Sequence, residues 1–353
     1  MSDKMSFGVY NGICETDDCS VVTAEKAAQL GKYIGMTYKN ICIAGCFQNE
    51  AVLYAVAGGA AEYAENIYFC ENSDIFSFRF SIKILEADIG IYVDKSKIIL
   101  HNRVGKPLNG CINEKEALSH SKKSKVYQMS SFKGIYISKL RKENNLKEKI
   151  SCGISCGKRS TKEMWLEFFT GEDDKLVLQI SDDGTKANLY SAVYGAITCE
   201  QLITAYIIMK VPESCAVYLP ESFHYQAESA IRHEVIRYST NDDIPSDAVR
   251  QPFFNDMLKV CTAILSEKER LFDIIRKMPQ MVSAKRMIQS KNYDLSDESM
   301  NFRLNNGKIV ISRISSSLLS VCAQSDKIET ASEICGEWCG KLLRNNGIPD
   351  NKH

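Results

Sequence analysis

The chain has 353 residues, which is enough for several domains and a large buried core. Its 44 basic residues balance its 44 acidic ones, so the net charge gives no indication of a nucleic-acid or anionic membrane partner. No apolar run approaches the roughly 20 residues of a membrane span, and Met1-Ser2-Asp3-Lys4 lacks the layout of a signal peptide. The 14 scattered cysteines favour unpaired thiols in a reducing compartment. We therefore expect a cytoplasmic protein that binds neither nucleic acid nor membrane.

The first third of the chain alternates strand-like and helix-like segments. It begins with an extended segment and a helix that is capped at Thr23 and ended by Gly35, and it continues as strand, helix, strand, helix and strand. The ranges, in that order, are 7–13, 23–34, 40–45, 49–65, 66–71, 75–85 and 87–93. This alternation predicts a doubly wound α/β unit with parallel strands and right-handed crossovers.

The middle of the chain predicts two further α/β units. Residues 113–149 are polar and lysine-rich, which is typical of a connecting region, with helical patches near 127–141. The second unit is short and has a strand, a helix and a strand at 150–154, 161–170 and 176–180. The third unit follows with helices and strands at 198–209, 215–219, 225–233, 234–238, 253–266 and 270–278.

The C-terminal part has a different pattern. Asn305-Asn306-Gly307 lies between β-rich runs at 300–304 and 308–313, which is a strong hairpin signal. A strand at 318–323 and an amphipathic helix at 328–343 complete a small α+β domain. The predicted fold class is α/β, with three α/β/α units, of which the second is truncated, followed by this domain. The predicted domains are 1–115, 116–190, 191–288 and 289–353.

An acidic turn follows the strand at 176–180. The turn, Ser181-Asp182-Asp183-Gly184-Thr185, is called the acidic loop below. Thr198 and Gln201 then form a capping box before the next helix. Ligands of α/β sheets lie at the carboxyl ends of strands, and Mg²⁺ prefers oxygen ligands. The acidic loop is therefore a candidate cation site, with a solvated turn as the alternative.

Short landmarks along nearly the whole chain carry a resemblance to a known family. The chain opens with Phe7-Gly8-Val9-Tyr10-Asn11-Gly12-Ile13, a helix begins Val22-Thr23-Ala24-Glu25, and later landmarks lie at 176–202, 253–279 and 307–323. Together they resemble the α-D-phosphohexomutases, the phosphoglucomutases and phosphomannomutases. The family motifs at the first two positions are Phe-Gly-Thr-x-Gly-x-Arg-Gly and Leu-Thr-Pro-Glu. The later stretches look like the metal loop Asp-Gly-Asp-x-Asp-Arg, the helical end of the third domain and the phosphate loop Arg-Pro-Ser-Gly-Thr-Glu-Pro.

The resemblance implies a reaction and a set of site residues. In the family, a phosphoserine transfers its phosphate to a bound sugar phosphate while Mg²⁺ neutralises the developing charge. The nucleophile position falls on Ser96, and the metal ligands fall on Asp182 and Asp183. The groups assigned to phosphate binding are Arg313, Ser315, Ser316, Ser317, Lys95 and Lys97.

All four functional loops depart from the family pattern. The segment around Ser96 has no His and no Asn-Pro, so a surface turn serine is the alternative. Ser181 and Thr185 stand where further carboxylates are expected, and Lys186 replaces the arginine. The sugar-reading loop Gly-Glu-x-Ser-Gly-His has no counterpart at 239–251, and the phosphate loop lacks its glycine and threonine.

Because each missing part of a phosphoryl-transfer site costs rate, we interpret the chain as a degenerate mutase. It would bind a sugar phosphate or act as a regulatory protein of carbohydrate metabolism. The alternative is a working Mg²⁺-dependent phosphoglucomutase or phosphomannomutase with altered motifs.

Two unrelated interpretations also start from the sequence. Gly153-Ile154-Ser155-Cys156-Gly157 matches the nucleophile elbow of serine hydrolases, with Asp182 or Asp183 and His224 or His233 as partners of Ser155. Cysteine pairs with four-residue spacing, at 42/46, 152/156 and 335/339, are interpreted as buried thiols rather than metal ligands.

Overall fold

The computed structural model describes most of the chain. The described residues are 6–10, 12–15, 23–45, 49–70, 73–94, 97–108, 110–113, 124–220, 222–238, 251–254, 256–289, 299–315 and 318–345. Ser96, Lys95, Ser316 and Ser317 lie outside these residues.

The first unit is built on parallel strands joined by helices, as the sequence predicts. Its strands β3, β4 and β5 are Asn40–Gly45, Asn66–Cys70 and Ile89–Asp94, and β3 pairs in parallel with both others. The helices that precede them are α1 (Ala24–Thr37), α2 (Glu50–Ala61) and α3 (Ile75–Ile84). Side chains of Thr23 and Asp74 cap α1 and α3 by accepting backbone N–H bonds.

Gly35 does not end α1, which corrects the sequence prediction. The helix continues to Thr37, and Gly35 lies against α2, where an added Cβ would be 2.6 Å from the carbonyl oxygen of Ala60. Gly59 likewise lies so close to α1 that a Cβ would be 1.9 Å from the carbonyl oxygen of Ala28. These glycines therefore permit close helix packing and do not mark a helix end.

Further strands extend the first sheet on both sides. They are β1 (Ser6–Tyr10), β2 (Ile13–Glu15), β6 (Lys97–Asn102), β7 (Gly110–Asn113) and β8 (Lys125–Met129). The sheet order is β7-β1-β2-β6-β5-β3-β4-β8. The segment predicted to carry helical patches at 127–141 thus begins with a parallel edge strand, and its helix, α4, is Lys133–Glu143.

The second unit is a five-stranded sheet with order β10-β9-β11-β12-β13. Its strands are β9 (Ile150–Ser155), β10 (Phe169–Gly171), β11 (Leu176–Ile180), β12 (Ala187–Ser191) and β13 (Gly195–Ile197). The helix predicted at 161–170 is shorter and earlier, since α5 is Arg159–Trp165 and the chain turns into β10. The fully buried Trp165 stacks on Phe169, so the sheet is anchored by this pair.

The third unit is mainly helical among the described residues. It contains α6 (Cys199–Lys210), α7 (Ala227–Ala230), α8 (Met257–Leu265) and α9 (Lys268–Lys277), with the parallel pair β14 (Val217–Pro220) and β15 (Val235–Tyr238). The capping box of Thr198 and Gln201 is confirmed. A continuous apolar core joins this unit to the second sheet and to one face of α3.

The C-terminal unit is an antiparallel sheet covered by a helix. Its strands β16 (Val282–Gln289), β17 (Ser299–Leu304), β18 (Gly307–Ser315) and β19 (Leu318–Ser325) have the order β16-β19-β18-β17, and α10 is Ile328–Asn345. The predicted hairpin is confirmed, whereas β16 was not predicted. Trp338 of α10 stacks on Phe302 in a core of its own. Within the described residues, every helix is too short or too polar to cross a bilayer.

Candidate functional site

The acidic loop connects β11 to β12 and is organised around the carboxylate of Asp183. Oδ1 of Asp183 accepts hydrogen bonds from Oγ of Ser181 at 2.7 Å and from the backbone N–H and Oγ1 of Thr185 at 3.1 and 2.8 Å. Gly184 has a φ of +68°, which glycine adopts without strain, and an added Cβ would be 2.1 Å from the Phe76 ring. The loop is therefore folded around its own aspartate.

Arg79 of α3 attaches this loop to the first unit. The Arg79 guanidinium is buried, and its Nη1 donates to the carbonyl oxygen of Asp183 at 2.9 Å. Its Nε donates to Nε2 of the buried His101 at 3.3 Å. Burial and the charge of Arg79 hold the pKa of His101 well below its usual value, so His101 is neutral and can accept this bond.

The surroundings of Asp183 keep its carboxylate charged. Burial alone would raise the pKa of Asp183, but the charge of Arg79 and the hydrogen bonds from Ser181 and Thr185 outweigh burial, and the pKa is lowered. Neither Arg79 nor His101 was identified from the sequence. A cation on an apolar helix and a lone histidine in a strand give no motif, and the hydrogen bond from Arg79 to the loop spans 104 positions of sequence.

The ends of β5 and β11 lie close together, in the region formed by Asp94, Gly157, Lys158 and the acidic loop, which we call the strand-end cleft. The Lys158 ammonium forms an ion pair with Oδ2 of Asp94 at 2.6 Å, which joins the first unit to the second. A Cβ on Gly157 would be 2.8 Å from Oδ1 of the exposed Asp182. The hydroxyl of Thr161 donates to the carbonyl oxygen of Asp182 at 2.6 Å, which fixes the loop above α5.

The segment that carries the predicted nucleophile is a short hairpin. Asp94 pairs with Lys97 across β5 and β6, so only positions 95 and 96 separate the two strands. Lys97 is exposed at the start of β6. The structure thus places one end of this hairpin, Asp94, within the strand-end cleft, while Ser96 and Lys95 lie outside the described residues.

The predicted phosphate-binding segment is on the C-terminal sheet. Arg313 is half-buried in β18 opposite Leu319, and Ser315 ends the strand opposite Leu318. β18 lies against β1 of the first sheet, so this segment also adjoins the first unit. In the order of that sheet, β2 and β6 separate β1 from β5, the strand that ends at Asp94.

The C-terminal sheet approaches the acidic loop at another point. Burial and the nearby Lys186 ammonium lower the pKa of Lys285 on β16. Lys186 directly follows the acidic loop. The C-terminal sheet therefore adjoins both the first sheet, through β1, and the region of the acidic loop, through β16.

The donors at the loop do not fit a resident magnesium ion. The Asp183 carboxylate is used by its own loop, and Asp182 is the other carboxylate there. Among the residues that the structure describes, no group of three or more His, Cys, Asp or Glu side chains could hold a metal ion. The metal site predicted at Asp182 and Asp183 is thus not supported by the local geometry.

The arrangement expected of a serine hydrolase is also not supported. Ser155 ends strand β9 opposite Gln179 and is not among the described residues with a positive φ, so it lacks a strained turn. His224 and His233 are buried, and their Nε2 atoms bond the backbone carbonyls of Val282 and Val211 at 3.2 and 3.1 Å.

The described cysteines of the spaced pairs are mostly buried. Cys42, Cys152, Cys335 and Cys339 are buried, while Cys156 is half-buried. Burial raises the pKa of both the Cys152 and the Cys335 thiol to about 11, which keeps them protonated at neutral pH. Position 46 of the first pair lies outside the described residues.

Comparisons with known proteins connect this geometry to a fold. No protein-family model and no curated protein matches the sequence. A solved phosphoglucomutase/phosphomannomutase family protein from Burkholderia thailandensis matches with a TM-score of 0.65 and 9% identity, covering 95% of this chain and 96% of that one. A candidate phosphomannomutase from Thermus thermophilus matches with a TM-score of 0.56 and 11% identity, covering 92% and 96%. The chain therefore has the fold of the phosphoglucomutase/phosphomannomutase proteins over almost its whole length.

Proposed function

We propose that this protein binds a sugar phosphate in or beside the strand-end cleft and does not isomerise it. It is then a phosphohexomutase-like protein with a ligand-binding or regulatory role in carbohydrate metabolism. The similarity of fold supports a sugar phosphate as the ligand. The observation that supports the loss of turnover is that the Asp183 carboxylate already accepts hydrogen bonds from within the acidic loop.

The chemistry explains why this observation matters. Phosphoryl transfer depends on positioning and on cations that neutralise the charge developing on the phosphoryl oxygens. A carboxylate that already accepts hydrogen bonds from Ser181 and Thr185 has few free lone pairs and would lose or rearrange some of those bonds to bind a metal. Unmade hydrogen bonds in a partly buried loop cost about 1–3 kcal/mol each. Metal binding at this loop would therefore have to offset that cost.

Cations that favour an anion lie in and near the cleft. Lys97 is opposite Asp94 in the hairpin, Lys158 is ion-paired with Asp94, and Arg313 is on the strand that contacts β1 of the first sheet. We assign the phosphate to Arg313 and the hydroxyls of Ser315, Ser316 and Ser317, with Lys95 and Lys97 as further cations. Arginine binds phosphate oxygens with a planar pair of N–H donors, which makes it the principal group of this set.

Turnover is tested with a coupled assay for conversion of glucose 1-phosphate to glucose 6-phosphate in Mg²⁺. We expect no rate above the buffer blank. A Mg²⁺-dependent rate that Ser96→Ala abolishes would contradict the proposal and establish a working mutase instead. Mannose 1-phosphate is assayed as a second substrate, because the proteins of similar fold are named phosphomannomutases as well as phosphoglucomutases.

Binding is tested by isothermal titration with glucose 1-phosphate. Arg313→Met should weaken binding about tenfold, because a charge-assisted hydrogen bond contributes roughly 1.5 kcal/mol. Arg303→Met is the matched control, since Arg303 is an exposed arginine on the adjacent strand β17. If the wild-type protein does not bind the sugar phosphate at millimolar concentration, the proposal is wrong.

A further inference from the structure

A cavity of about 600 Å³ lies at the opposite end of β5 from the strand-end cleft. It is bordered by α3, by α4 and by the start of α8 with the residues just before it, and it reaches Ala87 and Asp88 just before β5. Phe80, Leu140 and Pro252 contribute apolar surface to its lining. Its volume is within the range of about 300–1,000 Å³ of small-molecule sites, which often lie between domains.

Lysines from three separate helices converge on this cavity. Lys83 comes from α3, Lys139 from α4 and Lys259 from α8. The Lys139 ammonium lies 5.2 Å from the centre of the Phe80 ring, so an aromatic face and a cation are adjacent. Among the described residues, the Lys83 ammonium makes no hydrogen bond and no ion pair within 4 Å. Lys83 is therefore a half-buried cation that still lacks a close counter-ion.

The carboxylates around the cavity are already engaged or lie at its edge. Asp256 accepts the hydroxyl hydrogen bond of Tyr136 at 2.6 Å and caps α8 through the backbone N–H of Lys259 at 3.0 Å. Asp88 accepts two backbone N–H bonds at the start of β3. Glu86 is exposed at the rim. Asp256 keeps its negative charge at the cavity, and Lys259 is ion-paired with Glu143 at 2.8 Å. Among the described residues, Lys83 and Lys139 are therefore the lysines of the cavity without an ion-pair partner.

The pKa of Lys83 reflects its burial and the charges around the cavity. Burial lowers the pKa of Lys83, Asp256 acts in the opposite direction, and the cations Lys259, Arg79 and Lys139 lower it further. A bound anion would relieve this repulsion and restore the full charge of Lys83.

We propose that this cavity is a binding site for an organic phosphate with an aromatic or apolar body, the chemistry of a nucleoside monophosphate. The phosphate is bound by the ammonium groups of Lys83 and Lys139, while Lys259 is ion-paired with Glu143 at 2.8 Å. The body packs on the wall formed by Phe80, Leu140 and Pro252. Lysine binds phosphate as a point charge, so two lysines from different helices replace the planar fork of an arginine. The site is separate from the strand-end cleft and does not depend on the function proposed for the cleft.

The experiment is isothermal titration of the full-length protein with adenosine 5′-monophosphate, adenosine, inorganic phosphate and glucose 6-phosphate. We expect adenosine 5′-monophosphate to bind at least about tenfold more tightly than each of the others, because only it has both parts. Lys83→Met and Lys139→Met should each weaken its binding about tenfold. Lys142→Met is the control, since Lys142 is an exposed lysine of the same helix α4 outside the cavity.

Other binding modes would give different titration results. If adenosine 5′-monophosphate does not bind at millimolar concentration, or binds Lys83→Met and Lys139→Met as tightly as wild type, the proposal is overturned. Equal binding of glucose 6-phosphate that Arg313→Met removes would place the ligand in the cleft region and also overturn it. Thermal melting of each variant without ligand confirms folding, and Lys139, which is exposed, provides a variant with little structural risk.

Discussion

Two cations of helix α3, one turn apart, have opposite surroundings. Arg79 is buried and donates to both the carbonyl oxygen of Asp183 and the ring nitrogen of His101. Lys83 is half-buried beside a cavity and has no ion-pair partner among the described residues, although Asp256 partly offsets the cost of its burial and three other cations add to that cost. Residues four positions apart share one helix face, so the same face carries a structural cation at one end and an unneutralised one at the other.

The difference indicates what each end of the helix does. A buried cation with satisfied donors fixes two units in one arrangement, whereas a cation without a close counter-ion costs stability until a ligand arrives. The Arg79 end therefore joins the first sheet to the acidic loop. The Lys83 end is suited to binding. Substitutions at the two positions should therefore change the free energy of unfolding by different amounts and in opposite directions.

Arg79→Met should have the largest effect of these variants. It leaves Asp183 partly buried without its cation and removes the donors to the Asp183 carbonyl and to His101. Each hydrogen bond lost from a charged donor costs about 1.5–3 kcal/mol, so we expect a loss of several kcal/mol. Urea unfolding followed by circular dichroism measures the loss. Arg159→Met is the control, because the exposed Arg159–Glu163 pair should contribute less than about 1 kcal/mol. Equal effects of the two substitutions would contradict the structural role of Arg79.

Asp183→Asn should have an intermediate effect that depends on pH. The native pKa of Asp183 is lowered, so its stabilising contribution is present above its unfolded pKa of about 3.9 and is lost as the pH falls through the lower native pKa. At neutral pH we expect a loss of about 1–3 kcal/mol. The difference from wild type should shrink between about pH 5 and pH 2. Urea unfolding across this range measures it, and a gap that does not change with pH would contradict the assignment.

Much of the fold could be predicted because its signals are local. The alternation through β5 and the caps at Thr23 and Thr198 depend on residues close in sequence, and they agree with the structure. The prediction at Gly35 was wrong because a glycine that ends a helix and one that packs against another helix look identical in sequence. Only the approach of Ala60, 25 positions later, distinguishes them.

The site was predicted less well because its chemistry depends on distant partners. The sequence identifies Asp182-Asp183-Gly184 as acidic and turn-forming, but not which atoms the carboxylates contact. The Asp94–Lys158 ion pair spans 64 positions of sequence, and the Arg79 hydrogen bond to Asp183 spans 104. Neither pair belongs to a motif, so only the assembled sheets bring them together.

Lys83→Met should have the smallest effect on stability, and its sign should be opposite to that of Arg79→Met. Methionine preserves the unbranched chain along the cavity wall and removes a charge whose burial is unfavourable. The attraction to Asp256 that is lost with the charge is smaller than that burial cost. Without ligand, we expect a change within about 1 kcal/mol of zero, on the stabilising side. Urea unfolding beside Lys142→Met measures it. Since Arg79→Met on the same helix face should cost several times more, a loss of similar size at Lys83 would mean that this cation is also structural, and the distinction between the two ends of α3 would fail.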